Sequence, residues 1–310
     1  ASSSGANSAK FQLIIADEIC TPDYQHYGLF QNLQMPTSDW IEIFDLSRDL
    51  KINLILDVFG LESLGLAQEV GVTDIMLHAT DLNSLELLNA VSHSNVRRVL
   101  LGVGGGFLDE IFQAVKILNQ QEVALIFGFQ SYPTPQDHLN LKRISVVKEI
   151  LGDQQNHIRL GYADHSVPES DDVTALSAMA MALGATIVEK HLTLGECMKL
   201  EDYESALNPD RFALYTKALN SLSHALGGSS RDNDFLMSDS EKLYRKNMRR
   251  HVTFSRNLEA GSLITSEDIC LKRTSSVTPF YRSDDVVGTR VISAVSKNQV
   301  VTEGVIDRKG

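Results

Sequence analysis

The chain has 310 residues, is 43% hydrophobic and carries a formal net charge of −12. That is enough to bury a barrel-sized core plus a smaller unit, and the acidity argues against nucleic acid or an anionic membrane surface as a partner. Cys20, Cys197 and Cys270 are isolated and odd in number, so no disulfide framework or CxxC metal pair is expected and a reducing cytoplasm is the natural compartment; no apolar run reaches the ~18 residues of a membrane span, and the opening ASSSGANSAK lacks the apolar core of a signal peptide.

Short apolar runs alternate with helical patterns as far as about residue 190. Strands are expected at AKFQLI (9–14), INLILDV (52–58), DIMLHA (74–79), VLLGV (99–103), VALIFGF (123–129), HIRLGY (157–162) and TIVEKH (186–191). Several are continuously apolar, as in a parallel sheet buried on both faces. Helices are expected at 61–71, 108–120, 141–152 and 171–184, with Gly71, Gly152 and Gly184 where a C-cap needs glycine. Repeated β-α units indicate an α/β fold, either a TIM-type barrel or a doubly wound sheet. A barrel has eight strands and this pattern shows seven, so the first β-α unit is expected to be lacking. After residue 225 the texture changes: residues 1–226 are expected to form the barrel, 227–244 a polar linker, and 245–310 a small, mostly β domain. That last stretch holds a weak internal repeat, 249–273 against 285–306, each copy with a turn at Gly or Asn and then T-x-E or T-E.

Three stretches carry candidate chemistry: GYADHS (161–166), IVEKHLTL (187–194) and SYPTPQDHLNL (131–141). Two place a histidine at the end of an expected strand. In a barrel those ends build the active site, so His165 and His191 would share one mouth. Two imidazoles plus open positions suit a divalent transition metal.

These motifs resemble those of sialic acid (N-acetylneuraminate) synthases. GYADHS is similar to G-[LY]-S-D-H-T, ALGATIVEKHLTL to A-L-G-A-x-x-[IL]-E-[KR]-H-F-T-L, FQSYPTPQDHLNL to H-C-T-S-x-Y-P-x-P-x-x-x-N-L, and GANSAKFQ to G-A-D-A-V-K-F-Q. VTFSRNLEAGSLITSEDICLKR (252–273) resembles the family's C-terminal antifreeze-like (SAF) domain. The resemblance implies a TIM-type barrel plus SAF domain that condenses phosphoenolpyruvate with an N-acyl amino sugar such as N-acetylmannosamine. It implies a divalent metal, manganese or alternatively magnesium, on His165 and His191. It implies catalytic roles for Lys10 and Glu189, substrate contacts from Tyr132, Gln130 and Asp202, and a domain-swapped homodimer in which Arg273 enters the partner's barrel.

The chain departs from that pattern where the phosphoenolpyruvate cradle belongs. Met76 and Ala79 stand for a lysine and a serine, Asp57 for a threonine, Gly102 and Ala163 for serines. A phosphate and a carboxylate held side by side need several cations and donors, so weak phosphoenolpyruvate binding is expected, with Asp57 repelling the ligand. The glycine run GVGGG (102–106) reads as a turn, or as a replacement cradle of backbone N–H groups. Three functions stay open: a working synthase, a non-catalytic or regulatory relative, and a metal-dependent sugar-carbonyl enzyme that does not use phosphoenolpyruvate.

Overall fold

The structure, a computed structural model, describes residues 1–152, 157–170, 172–227, 237–276 and 278–307. The chain divides into two compact units, Ala1–Gly227 and Gly228–Gly310.

In the first unit seven strands run in chain order, β1 Ser8–Gln12, β2 Asn53–Asp57, β3 Asp74–Leu77, β4 Arg98–Gly102, β5 Glu122–Phe127, β6 Ile158–Asp164 and β7 Ile187–Lys190, each hydrogen-bonded to the next. All six pairings are parallel. Between β1 and β2 lie α1 Ala16–Ile19, α2 Tyr27–Leu33 and α3 Thr37–Asp49; the later connections carry α4 Leu61–Val70, α5 Leu85–Ser92, α6 Leu108–Ile117, α7 Lys142–Leu151 and α8 Val173–Leu183, and α9 Pro209–Leu226 follows β7. Gly71, Gly152 and Gly184 end their helices at φ of 95°, 53° and 121°, where a Cβ would be strained. This is the α/β barrel, one of the two architectures that the alternation of apolar runs left open and the one the family resemblance implied.

Side chains alternate across each strand. Leu56, Ile75, Leu77, Leu101 and Leu125 pack against helix residues such as Leu64, Leu88, Ile111 and Val147. Their neighbours Ile55, Met76, Leu100, Ala124, Ile126 and Ala163 form a separate inner cluster. The register fixes what joins that inner layer: Lys10 lies beside Ile55, Asp57 beside Met76, Gly102 beside Ile126, and Ala163 beside Glu189. The parity that fills the barrel with aliphatic side chains thus delivers Lys10, Asp57 and Glu189 to its interior.

A second, polar core locks the end of β6. Asp164 is fully buried. Its Oδ1 accepts from the Ser166 N–H at 2.8 Å, the Ser166 hydroxyl at 2.6 Å and Lys190 Nζ at 3.2 Å; its Oδ2 accepts from the Ser177 hydroxyl at 3.0 Å, which also bonds Tyr215. β6, β7, α8 and α9 are pinned together immediately behind His165.

The second unit is built on short strands: β8 His251–Phe254 antiparallel to β9 Ile269–Lys272, and β10 Arg290–Val291 antiparallel to β11 Ile306–Asp307. Val252, Phe254, Ile264, Phe280, Val286 and Val301 are the best-buried members of its own core. The two halves of the sequence repeat pair with each other through Thr253–Val300 and Leu258–Val295. Gly261 and Asn298, the expected turn residues, both take left-handed conformations at φ of 82° and 71°. The expected linker needs correction. Residues 228–236 lie outside the described residues, but Asp239–Met248 is a helix, α10, begun by a capping box in which Ser238 and Glu241 bond each other's backbone N–H. Among the described residues no helix is long and apolar enough to cross a membrane.

Replacing Asp164 with alanine leaves a buried ammonium unpaired, a change that costs about 3–5 kcal/mol. Chemical denaturation of Asp164→Ala is expected to show that loss, and Asp164→Ala/Lys190→Met to recover part of it. Unchanged stability in the single variant would remove this network from the account of how His165 is held.

Candidate metal and ligand site at the barrel mouth

His165 and His191 end β6 and β7 at the same rim. Their ring centroids lie 5.2 Å apart, and Tyr132, from the loop after β5, presents its ring edge-on to both, at 4.9 Å and 5.4 Å. The site is closed from behind by backbone bonds: Thr134 N–H donates to His165 O at 2.8 Å, and the buried Ser205 hydroxyl to the same oxygen at 2.8 Å.

One ligand atom from each of His165, Glu189 and His191 lies within 4.8 Å of the others. Three features fit this trio to a divalent cation. His165 Nδ1 is 2.8 Å from the Phe129 carbonyl, which can only accept, so Nδ1 carries the proton and Nε2 keeps its lone pair. Burial pushes His165 below the usual histidine range, and pushes His191 down to about 4 against the pull of Glu189, so both rings are neutral at pH 7. Glu189 Oε2 is buried without a hydrogen-bond partner among the described residues, which is costly unless a ligand satisfies it. Glu189, read from sequence as catalytic, therefore stands with the two histidines as a third candidate ligand. Two imidazoles and a carboxylate suit a transition ion with free coordination positions.

Asp202 Oδ2 is 3.8 Å from His191 Nδ1, too far for a hydrogen bond. Burial, reinforced by Glu204 and Glu201, raises its carboxyl above the usual range. Burial, reinforced by Asp202, raises the Tyr132 phenol, which keeps its proton.

Lys10 faces this cluster from β1. Its Nζ is 2.8 Å from Glu189 Oε1, 3.2 Å from Asp57 Oδ2 and 3.1 Å from Met76 Sδ. Burial opposes its charge, and the Asp57 and Glu189 carboxylates overcome that, holding the ammonium above the usual lysine range. Asp57 is fully buried; burial disfavours its charge too, but Lys10 and then His78 hold it below the usual carboxylate range, so it is ionised. The expected bare repulsion by Asp57 is corrected: the residue acts as the partner of Lys10.

His78 was missed from the sequence. Its Nε2 is 3.1 Å from Asp57 Oδ2, its Nδ1 3.2 Å from Gln130 Nε2, and its ring stacks on Phe59 at 5.2 Å. The arrangement that satisfies both nitrogens has Nε2–H donating to Asp57 and Nδ1 accepting from Gln130. The available signal was strand parity, since His78 lies two residues beyond inward-facing Met76. Gln130 therefore spends one amide hydrogen on the protein.

The rest of the lining includes Ala79, Gly102, Gly104, Gly128 and Ala163. Gly104 is a packing requirement: a Cβ there would lie 1.9 Å from Gly128 O. The N–H of Phe107, next along the same turn, is taken by Glu110 at 2.8 Å. The glycine run is a close crossing of two loops, and an acidic helix start follows it. Arg273, placed by sequence among the substrate contacts, follows β9 in the second unit and is exposed.

The NeuB family model matches residues 1–231. An uncharacterized protein of Methanocaldococcus jannaschii is 26% identical over 272 residues, 87% of this chain and 76% of its own length. The N,N'-diacetyllegionaminic acid synthase of Campylobacter jejuni is 22% identical over 306 residues, 97% of this chain and 86% of that enzyme. Among solved structures, a putative spore coat polysaccharide biosynthesis protein E from Chromobacterium violaceum shares the fold with a TM-score of 0.77 at 20% identity, covering 99% of this chain and 91% of that one. With a barrel of seven parallel strands, a His-Glu-His cluster at one mouth and a family model matched across the whole first unit, the chain belongs to the NeuB family.

Proposed function

We propose that this chain binds an N-acyl amino sugar at the His165–Glu189–His191 cluster, as the sugar half of a sialic-acid-type synthase site, and lacks a working side-chain cradle for phosphoenolpyruvate. The observation that carries this reading is the environment of Lys10. An ammonium has three hydrogens, and Glu189, Asp57 and Met76 supply a partner for each. Lys10 is also the only lysine or arginine among the described residues lining the cavity.

A divalent ion bound by His165, Glu189 and His191, manganese on this reading, supplies Lewis-acid polarisation of a sugar carbonyl. The chain's own residues do the rest. The Phe129 carbonyl fixes the His165 tautomer, Tyr132 walls off one side of the histidine pair and keeps a phenolic hydrogen to donate, and the free amide hydrogen of Gln130 together with Asp202 offers bonds to sugar hydroxyl and acylamino groups.

A working synthase that joins phosphoenolpyruvate to the sugar is the second reading. It is favoured by the synthase activity named for the Campylobacter relative. On either reading Arg273 is assigned to a partner's barrel mouth in a domain-swapped homodimer, where a guanidinium can bind an anion bidentately.

Titration calorimetry tests the metal first. Manganese is expected to bind at one ion per chain, and His165→Ala and His191→Ala each to weaken it at least tenfold, about 1.4 kcal/mol. Binding unaffected by both changes would sink the cluster as a metal site. With manganese present, N-acetylmannosamine is expected to give a binding isotherm and phosphoenolpyruvate none at millimolar concentration; release of phosphate from the two together would establish the second reading instead. Light scattering at micromolar concentration is expected to give twice the chain mass, and a monomer there would contradict the assembly.

A further inference from the structure

Lys10 and Asp57 meet inside the barrel under conditions that leave neither free to turn away. Asp57 ends β2 with no exposed surface. Its Oδ2 receives two donors, Lys10 Nζ at 3.2 Å and His78 Nε2 at 3.1 Å, and its Oδ1 is buried with no partner among the described residues. His78 is held in turn by Gln130 and by Phe59, whose ring lies within 10° of parallel to it. On the other side Lys10 is tied to Glu189. Two carboxylates thus share one ammonium, so the mouth carries a net negative charge before any ion enters.

We propose that Asp57 is a built-in occupant of the anion position, a specificity-determining residue that takes the Lys10 hydrogen an incoming phosphate or carboxylate would need and thereby sets this site for an uncharged polyol. The inference rests on the reading that the phosphoenolpyruvate cradle is lost, and it makes that loss conditional on one side chain. The surrounding residues cannot do this job: Met76 offers Lys10 a neutral sulfur, and Ala79, Gly102 and Ala163 offer no side-chain polar atom. Neutralising Asp57 should weaken the hold on Lys10 and remove the negative charge beside it, without moving the strand.

The test is calorimetric titration of the metal-free full chain with phosphoenolpyruvate, and separately with inorganic phosphate, at one fixed ionic strength. Wild type is expected to show no binding. Asp57→Asn is expected to gain at least a tenfold increase in affinity, and Asp57→Asn/Lys10→Met to lose that gain. Asp81→Asn is the control for general charge, because Asp81 bonds the His78 backbone and makes no contact with Lys10; it should behave as wild type. Thermal melting checks that each variant is folded, and Asp57→Ser replaces Asp57→Asn if the latter is not. A second measurement needs no variant: in wild type, Lys10 should undergo reductive methylation more slowly than the exposed lysines. A folded Asp57 variant with no gain, an equal gain in Asp81→Asn, a gain that survives Lys10→Met, or fast methylation of Lys10 would each overturn the proposal. Tight binding by wild type, lost in Lys10→Met, would instead overturn the functional reading beneath it, so the two failures are distinguishable.

Discussion

One ammonium shared between two strands governs the mouth of this barrel. Lys10 stands on β1, Asp57 on β2 and Glu189 on β7. Backbone hydrogen bonds run from β1 to β7 through the sheet without joining those two strands to each other. The Lys10–Glu189 pair spans that interval at 2.8 Å. Each of the three groups is unaffordable in such a place by itself, since an unpaired buried charge costs several kcal/mol. Together they neutralise most of one another, and the surplus is negative. On the proposed reading that surplus attracts a divalent cation and disfavours a dianionic ligand.

The two sides of the mouth differ accordingly. On the β6–β7 side the histidines are neutral, His165 is fixed in tautomer and backed by a closed polar core, and Glu189 keeps one oxygen unsatisfied among the described residues. That is a prepared donor set. On the β2–β4 side Asp57 and His78 are engaged by Lys10, Gln130 and each other, and Met76, Ala79 and Gly102 offer no side-chain nitrogen or oxygen. Preorganised donors are what make such sites effective, and here they are concentrated on one half.

Much of this was readable from residue order. Apolar runs, several of them continuous because those strands are buried on both faces, located the seven described strands, and strand-end histidines located the cluster because barrel chemistry sits at those ends. Gly261 and Asn298 announced two left-handed turns because few other residues tolerate that backbone. The failures have physical causes too. Asp57 was read as a bare charge because a linear sequence does not say which carboxylate meets which ammonium; only the register of β1, β2 and β3 does. The first part of α10, as far as residue 244, was taken for linker because it belongs to a stretch rich in charged and hydroxyl residues, although Ser238 and Glu241 carried the signal of a helix start. α1 to α3, α5 and α9 went unmarked; α3 leaves a faint periodic trace because it buries only Trp40 and Ser47, whereas α5 and α9 bury three residues each.

The pairing of the two repeat halves in the second unit bears on how the chain acquires its structure. Every barrel strand bonds to its neighbour in sequence, so that sheet can grow by adding one β-α unit to the last. In the second unit β8 pairs β9 and β10 pairs β11, but the two halves are joined by distant pairings. Thr253 meets Val300 and Leu258 meets Val295 across most of its length, and Phe254 bonds the backbone of Asn298 and Gln299. Such distant pairings must pay loop-closure entropy before any reward arrives. During synthesis the first half of this unit can pair β8 with β9 as soon as both are made, but the bonds that join it to the second half wait for residues 295–300, so the core they share closes late.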